Sequence, residues 1–255
     1  MTTCTLWEAS DDRVRPRARA RVPLRVGDRE VPAVVHTFSG LPAGAEHLLV
    51  AVGPTPAVSD VPLVRVHSEC LTGDVLGSVR CDCGPQLRES LDLLAETGGY
   101  LVYLRQEGRG IGLYAKLDAY VLQDEGLDTY AANRALGFAD DLREYDVAAG
   151  MLQCLGIRTI DLLTGNPDKA ARLTAAGVHI RRVVPTRRHE TSHNAGYLAA
   201  KQRRGHVFAA APDADPGTAD RAGGRAAPAA QPAPASFSSL VRSAAARWAL
   251  PRSST

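Results

Sequence analysis

The hydrophobic pattern of the sequence changes its period at Cys83, and this change restricts the possible folds more than any other feature. Before it, three runs rich in β-branched residues are separated by Gly and Pro clusters, which is typical of strands. These runs are residues 31–38, 48–52 and 63–66. After it, leucines at helical spacing follow Pro85 and the pattern ends at Gly98, so we expect a helix there.

Helical and strand-like segments alternate along the rest of the central part. Strands are predicted at residues 100–104, 159–163 and 178–184, and helices at residues 113–125, 147–155 and 167–177. Each of these predicted helices ends near a glycine, and Asn166 with Pro167 supplies a cap and a first turn for the last one. A strand-rich beginning followed by alternation predicts a mixed α/β (α+β) fold around a mixed sheet.

Both ends of the chain differ from this central part. Arginines occupy every second position of residues 13–21, so we predict a flexible basic arm over residues 1–21, with phosphate or nucleic-acid contact as the alternative to a solvated arm. Residues 209–255 contain 16 Ala and 6 Pro, so we predict a disordered tail in which residues 236–250 form at most a short helix. The predicted folded domain is therefore residues 22–208.

Composition excludes several classes of protein. No stretch approaches the ~18 uninterrupted apolar residues of a membrane-spanning helix, and the N-terminus lacks the pattern of a secretory signal, so we expect a cytoplasmic protein without membrane contact. The formal net charge of +2 comes from the tail, and the neutral remainder gives no basis for nucleic-acid binding. Five cysteines are an odd number for a disulfide framework, so metal binding or catalysis is the better interpretation.

Three of these cysteines have the spacing of a metal site. Cys70, Cys81 and Cys83 follow the pattern Cys-x10-Cys-x-Cys. Their thiols converge if the chain turns back at residues 73–74 as a hairpin or a knuckle would. Three thiolates leave the fourth position of a tetrahedral Zn²⁺ open, as in catalytic sites. Two alternatives remain: three ordinary buried cysteines, or a closed structural site with His67 as the fourth ligand.

A glycine-rich loop at residues 105–112 lies where a predicted strand ends and a predicted helix begins. Glycines there let backbone N–H groups approach an anion or a nucleobase, although their order is not the GxGxxG of a dinucleotide site. Taken alone, such a loop is more typical of a plain surface turn. It is the combination with the cysteines and with polar residues further along the chain that indicates a functional site.

Four motifs that occur in order resemble those of one enzyme family. They are residues 65–74 (RVHSECLTGD), 80–84 (RCDCG), 105–112 (RQEGRGIG) and 136–138 (LGF). Together they resemble GTP cyclohydrolase II, and the resemblance extends from about residue 64 to residue 206. This family opens the imidazole ring of GTP with zinc and magnesium and releases formate and pyrophosphate. The product is 2,5-diamino-6-ribosylamino-4(3H)-pyrimidinone 5′-phosphate, and the reaction is the first step of riboflavin biosynthesis.

The resemblance implies a role for each matching residue. The three cysteines would hold one zinc ion per subunit, Mg²⁺ would accompany the triphosphate, and the protein would be a homodimer. Asp141 would be the general base and Arg143 the group that attacks the α-phosphorus, although clamping the phosphoryl charge is a sufficient role for a guanidinium. Tyr120 would lie beside the zinc and assist either ring opening or the second attack of water.

Twelve further residues fall on the GTP-binding positions of the family. They are Arg65, Val66, His67, Ser68, Glu69, Gln86, Glu107, Gly108, Arg109, Thr129, Thr164 and Lys169. Guanine presents N–H donors that suit a carboxylate, so we hypothesise that Glu107 accepts from the base while the basic members of this set face the phosphates. Gly165 stands where relatives commonly have Asn, and residues 186–196 also depart from the family's pattern.

Three functions stay open on the sequence alone. The first is the full cyclohydrolase, which the presence of Tyr120 favours. The second keeps the fold but stops at the formamidopyrimidine nucleotide, as in relatives that serve secondary metabolism. The third is a zinc-stabilised GTP-binding module without turnover.

Overall fold

The structure, a computed structural model, describes residues 13–42, 46–54 and 61–209. The predictions for the first part of the basic arm and for nearly all of the tail, including its short helix, lie outside these residues. The described part forms nine strands and seven α-helices, which alternate after the first six strands. The mixed α/β fold predicted from the sequence is therefore confirmed.

The predicted strands and helices are present, with ends that differ by a few residues. The strands are β1 (Arg15–Arg21), β2 (Leu24–Val26), β3 (Arg29–Val31), β4 (Ala33–Ser39), β5 (Leu48–Val52), β6 (Leu63–Ser68), β7 (Gly99–Leu104), β8 (Thr159–Leu163) and β9 (His179–Val184). The helices are α1 (Leu71–Asp74), α2 (Cys83–Thr97), α3 (Leu113–Asp124), α4 (Thr129–Ala135), α5 (Asp146–Cys154), α6 (Pro167–Ala175) and α7 (Ala195–Arg203). A short 3-10 helix, Glu107–Gly110, lies in the glycine-rich loop.

Seven strands form one mixed sheet in the order β1-β4-β5-β7-β6-β8-β9. The pairs β1–β4, β4–β5 and β5–β7 are antiparallel. The pairs β7–β6, β6–β8 and β8–β9 are parallel. Each parallel connection crosses over through helices, as parallel strands require. The carboxyl ends of β7, β6 and β8 therefore lie side by side, at the edge where open α/β sheets place their ligands.

The central strands of the sheet are buried on both faces. Leu49 and Val102 belong to one core cluster, which includes residues of α5 and α6, whereas their neighbours Val50 and Leu101 belong to a second cluster that includes residues of α2. Successive strand residues thus alternate between the two clusters, because side chains on a strand point to opposite faces in turn. Helices on both sides leave the carboxyl ends of the central strands open for a site.

Residues 15–21 form a strand, where the sequence predicts part of a flexible arm. β1 pairs antiparallel with β4, with an irregular register between Pro16 and Ala18. All seven of its residues are exposed. The strand is defined by its backbone hydrogen bonds to β4 and not by burial of its side chains. A pattern of side chains in the sequence therefore does not reveal it. Charged side chains also suit an edge strand, because they discourage pairing with another chain.

Candidate active site

The three cysteine thiols converge just beyond the carboxyl end of β6. Cys70 precedes α1, Cys83 begins α2, and Cys81 lies in the segment between these helices. The three Sγ atoms all lie within 4.8 Å of one another, and those of Cys70 and Cys81 are 3.7 Å apart. Zn–S bonds of ~2.3 Å in tetrahedral geometry place sulfurs about 3.8 Å apart, so the trio has the dimensions of a zinc site.

The turn that brings the thiols together is the one-turn helix α1, not the hairpin or knuckle that the sequence suggests. The Asp74 carboxylate fixes this turn by accepting from the backbone N–H of Cys70 and from the hydroxyl of Tyr103, each at 3.0 Å. A Cβ at Gly73 would lie 2.9 Å from the Sγ of Cys81. Glycine at this position therefore leaves room for the sulfur cluster.

His67 does not join the thiols. Its Nε2 lies 3.1 Å from both carboxylate oxygens of Asp74, and its ring stacks on that of Tyr103. Burial lowers the pKa of His67, although the hydrogen bond to Asp74 opposes this effect. Within the described ranges, no histidine or carboxylate belongs to the cysteine cluster. The sequence alternative of a four-ligand site with His67 is therefore wrong.

Lys116 is a residue of the site that the sequence analysis missed. Its Nζ lies 3.1 Å from the Sγ of Cys70 and 3.0 Å from the hydroxyl of Thr72. The same Nζ lies 2.8 Å from a carboxylate oxygen of Glu107, and Lys116 is only 8% exposed. Lys116 stands one helical turn before Tyr120 in α3, and this spacing to a predicted site residue was the available signal.

The cysteine cluster favours negative charge on Cys70. Hydrogen bonds from Cys81 and Cys83 lower the pKa of the Cys70 thiol, and Lys116 adds to this effect. The same contact with Cys70 raises the pKa of Cys81 to about 11.

Tyr120 lines the same cleft as the three cysteines. The guanidinium of Arg80 lies 4.5 Å from the centre of its ring, and Arg80 also pairs with Asp124. Burial raises the pKa of Tyr120. Its hydroxyl therefore stays protonated near neutral pH and can donate a proton or a hydrogen bond.

Asp141 and Arg143 form a bidentate ion pair. Arg143 donates through Nε at 2.9 Å and through Nη2 at 2.5 Å to the two carboxylate oxygens. Burial opposes the charge on Arg143, but the hydrogen bonds to Asp141 outweigh it and raise its pKa. Burial likewise opposes the charge on Asp141, but Arg143 lowers the pKa of Asp141. Both groups are therefore charged, and the guanidinium of Arg143 lines the cleft.

The cleft brings the predicted nucleotide-binding residues to the cysteines. It measures about 1040 Å³, including the part open to solvent, and eleven of the twelve predicted residues line it. The exception is Val66, which is fully buried and whose carbonyl oxygen accepts from Lys169 at 2.6 Å. Asp141 does not line the cleft either and reaches it through Arg143. A cleft of this size accommodates a ligand as large as a nucleotide.

The ionic residues predicted to contact the nucleotide already have protein partners. Arg65 donates to Gln86, Arg109 donates to the hydroxyl of Tyr130, and the Nε of Arg65 has no partner. The Glu107 carboxylate accepts from the backbone N–H of the first residue of α1 at 2.6 Å, in addition to Lys116. The structure thus places Glu107 beside the cysteine cluster, where it holds protein groups in position.

The segment after β9 contributes residues that sequence reasoning did not find. Tyr197, Lys201 and His206 line the cleft. Lys201, on α7, donates at 2.6 Å to the fully buried carboxylate of Asp82, which lies between two of the cysteines. Burial, with a smaller effect from the charge of Lys201, lowers the pKa of His206 to about 3. None of the four family motifs lies in this segment.

The sequence profile of the GTP cyclohydrolase II family matches residues 16–185. The chain belongs to this family. It is 51% identical to the GTP cyclohydrolase-2 of Vibrio vulnificus over 188 residues. The aligned region covers 73% of this chain and 95% of that protein. It is 47% identical to the GTP cyclohydrolase-2 of Psychromonas ingrahamii over 194 residues, and the aligned region covers 75% of this chain and 97% of that protein.

This chain also matches part of a longer protein. The riboflavin biosynthesis protein RibBA of Bacillus velezensis is 51% identical over 176 residues, which is 68% of this chain and 44% of that protein. Family membership identifies the chain as a hydrolase. The segment that carries Lys201 and His206 lies beyond the residues matched by the profile. Among the described helices, none has the length and apolar character needed to cross a membrane.

Proposed function

We propose that this protein hydrolyses GTP, opens the imidazole ring of the guanine, and releases formate and pyrophosphate as the first step of riboflavin biosynthesis. The observation that carries the proposal is the convergence of three thiols with Tyr120 and Arg143 in one cleft, in a chain that belongs to the GTP cyclohydrolase II family. A cleft lined by both sulfur donors and cations suits a substrate with a reactive ring and a polyphosphate.

In this proposal the three cysteines hold one zinc ion per subunit. The sulfur spacing, the buried position and the room left by Gly73 support this assignment. When bound, the ion supplies a Lewis acid that makes water a nucleophile near neutral pH. The cysteines fix where that chemistry occurs, because they hold the ion at the wall of the cleft.

The remaining residues orient the base and move protons at the ring. Two waters are consumed at C8: the first opens the ring and leaves a formamide, and the second releases formate. Each breaking C–N bond leaves a nitrogen that needs a proton. The Tyr120 hydroxyl, which is protonated near neutral pH and lines the cleft with the three cysteines, is the general acid that we assign to this step. Glu107 accepts hydrogen bonds from the guanine edge in this assignment. It does so with the carboxylate lone pairs that Lys116 and the backbone N–H of Leu71 do not use.

At the other end of the substrate, the cations bind the triphosphate together with Mg²⁺. Arg65, Arg109 and Lys169 face the phosphates in this assignment. Asp141, the general base in the family's pattern, lies behind Arg143 and orients its guanidinium, and Arg143 stabilises the charge that develops as water attacks the α-phosphorus. The ion pair with Asp141 supports a clamping role over a covalent one, because it keeps the guanidinium protonated and therefore a donor.

The proposed setting is a cytoplasmic homodimer that acts on a free nucleotide. Neither nucleic acid nor a membrane has a role in this assignment. GTP is the partner that the family implies, and dimerisation is carried over from the family as part of the proposal.

Incubation with GTP, Zn²⁺ and Mg²⁺ tests the proposal, with pyrophosphate, formate and product mass measured together. Equal amounts of formate and pyrophosphate support the full reaction. A product that retains a formyl group indicates the enzyme that stops at the formamidopyrimidine nucleotide, and GTP binding without pyrophosphate over hours indicates a module without turnover. Cys81→Ser and removal of the metal should both abolish formate. Formate released without bound metal would contradict the zinc assignment.

A further inference from the structure

The ammonium group of Lys116 contacts three acceptors, Cys70, Thr72 and Glu107, which use all of its hydrogen-bonding capacity. An ammonium carries three N–H donors. Three acceptors surround it at 2.8, 3.0 and 3.1 Å, and the third of these is the sulfur of Cys70. No N–H of Lys116 is left for a substrate. Its position in the wall of the cleft therefore does not make it a nucleotide-binding residue.

Two of these acceptors fix the ammonium relative to the metal ligand. Glu107 holds Lys116 through one carboxylate oxygen and the backbone N–H of Leu71 through the other. Leu71 is the residue directly after Cys70, and Thr72 follows it. The carboxylate thus couples the position of the ammonium to the backbone that carries the ligand, so the N–H···S contact has a defined geometry.

The charge of the proposed metal centre gives this contact a function. Three thiolates and one Zn²⁺ leave an excess of one negative charge, which weakens the Lewis acidity of the ion. A hydrogen bond from a cation to a thiolate withdraws electron density from the sulfur, and contacts of this kind tune metal ligands. Among the described residues, Lys116 is the cation recorded within hydrogen-bond distance of a cysteine sulfur in the cluster.

We propose that Lys116 is a positioning residue for the metal centre: through its hydrogen bond to Cys70 it reduces the electron donation of that thiolate and keeps the bound ion Lewis acidic for ring opening. This inference rests on the proposed zinc function. It assigns to Lys116 an effect on the step at C8, and none on binding of GTP or on release of pyrophosphate.

Replacement of the metal by Co²⁺ gives a readout that does not depend on turnover. The variants are Lys116→Met, Lys116→Arg, and Asp118→Asn as a control on the exposed face of the same helix. The sulfur-to-cobalt charge-transfer band should move to longer wavelength in Lys116→Met, because a thiolate without its hydrogen bond gives up electrons more easily. Lys116→Arg should restore the band at least in part, and Asp118→Asn should leave it unchanged.

The kinetics of the zinc enzymes complete the test. We expect kcat for formate release to fall about tenfold or more in Lys116→Met, within the range reported for partners of metal ligands. KM for GTP should stay within about twofold. An unchanged cobalt band, or a raised KM with unchanged kcat, would overturn the inference. If Lys116→Met does not fold by circular dichroism, Lys116→Gln is measured in its place and read in the same way.

The control separates this inference from the proposed function. If wild type and Asp118→Asn bind one cobalt per chain and release formate while Lys116→Met behaves identically, only the role of Lys116 is refuted. If wild type itself binds no cobalt at the cysteines, the metal assignment is refuted whatever Lys116 does.

Discussion

The ion pair between Lys201 and Asp82 links α7 to the segment that carries Cys81 and Cys83, and breaking it should destabilise the protein strongly. The Nζ and Oδ1 atoms are 2.6 Å apart, the Asp82 side chain is fully buried, and that of Lys201 is 9% exposed. The other carboxylate oxygen of Asp82 accepts from Gln86 at 2.7 Å. In Lys201→Met the carboxylate would keep this one hydrogen bond and lose the cation that is bonded to it.

The magnitude follows from burial. Removing one partner of a buried ion pair costs ~3–5 kcal/mol, because the remaining charge is left uncompensated. The hydrogen bond from Gln86 places the expected loss near the lower end, at about 3 kcal/mol. For a domain of this size each kcal/mol lowers Tm by ~2–4 °C, so Tm should fall by roughly 6–12 °C. Because Asp82 lies between Cys81 and Cys83, the metal site should loosen as well.

Thermal melts of wild type, Lys201→Met, Asp82→Asn and the double variant measure this effect, first without metal and then with saturating Zn²⁺. The double variant should lose less stability than the sum of the two single variants, since each single change leaves the other group unpaired. Arg203→Gln, on the exposed side of the same helix, is the control and should change Tm little. A change below about 2 °C in metal-free Lys201→Met, or strict additivity, would refute the reasoning.

Three further predictions follow from other contacts. Leu152→Ala, on the buried face of α5, should lower the free energy of unfolding in urea by ~2–5 kcal/mol, and a loss below about 1 kcal/mol would mean that the surrounding core repacks. Glu107→Gln should raise KM for GTP if the carboxylate accepts from guanine, and an unchanged KM with a shifted cobalt spectrum would instead assign Glu107 to the support of Lys116. Burial lowers the pKa of His206 from 6.5 to about 3, so between these values the unfolded chain binds a proton that the folded chain does not. The stability that depends on neutral His206 is therefore complete above pH 6.5 and declines as the pH falls toward 3; His206→Gln should make that decline less steep in metal-free urea titrations, and an equally steep decline would contradict the assignment.

The elements that the sequence predicts well are those with a local signal. Helix α6 begins as predicted because the Asn166 side chain accepts from the N–H of Asp168, and Pro167 occupies the first turn. Helix α7 was not predicted, because a lysine takes one of its buried positions and interrupts the apolar face. Strand β1 was missed for a related reason: its pairing with β4 is a backbone property, and all of its side chains are exposed.

The site residues also differ in whether a local sequence signal reveals them. The cysteine trio is visible in the sequence because its members lie within a short segment and follow a ligand spacing. The contact between Lys116 and Cys70 spans 46 positions, and the contact between Lys201 and Asp82 spans 119. Such contacts depend on the order of strands in the sheet, which no local pattern encodes. Sequence therefore identified the cysteine trio, while the residues that contact it required the structure.

The electrostatics of the cleft explain how a chain with an almost balanced charge can bind a polyanion. Lys169 and Arg143 both line the cleft, and they lie 5.4 and 5.9 Å from the centre of the Tyr145 ring. Burial lowers the pKa of Lys169, and the charges of Arg65 and Arg143 lower it further. Folding therefore works against mutual repulsion here, in a place where low polarity strengthens it. A triphosphate would reduce that repulsion, so we expect its negative charge to be favoured at this position. Net charge gave no sign of this, because what matters for binding is where the cations lie and how deeply they are buried.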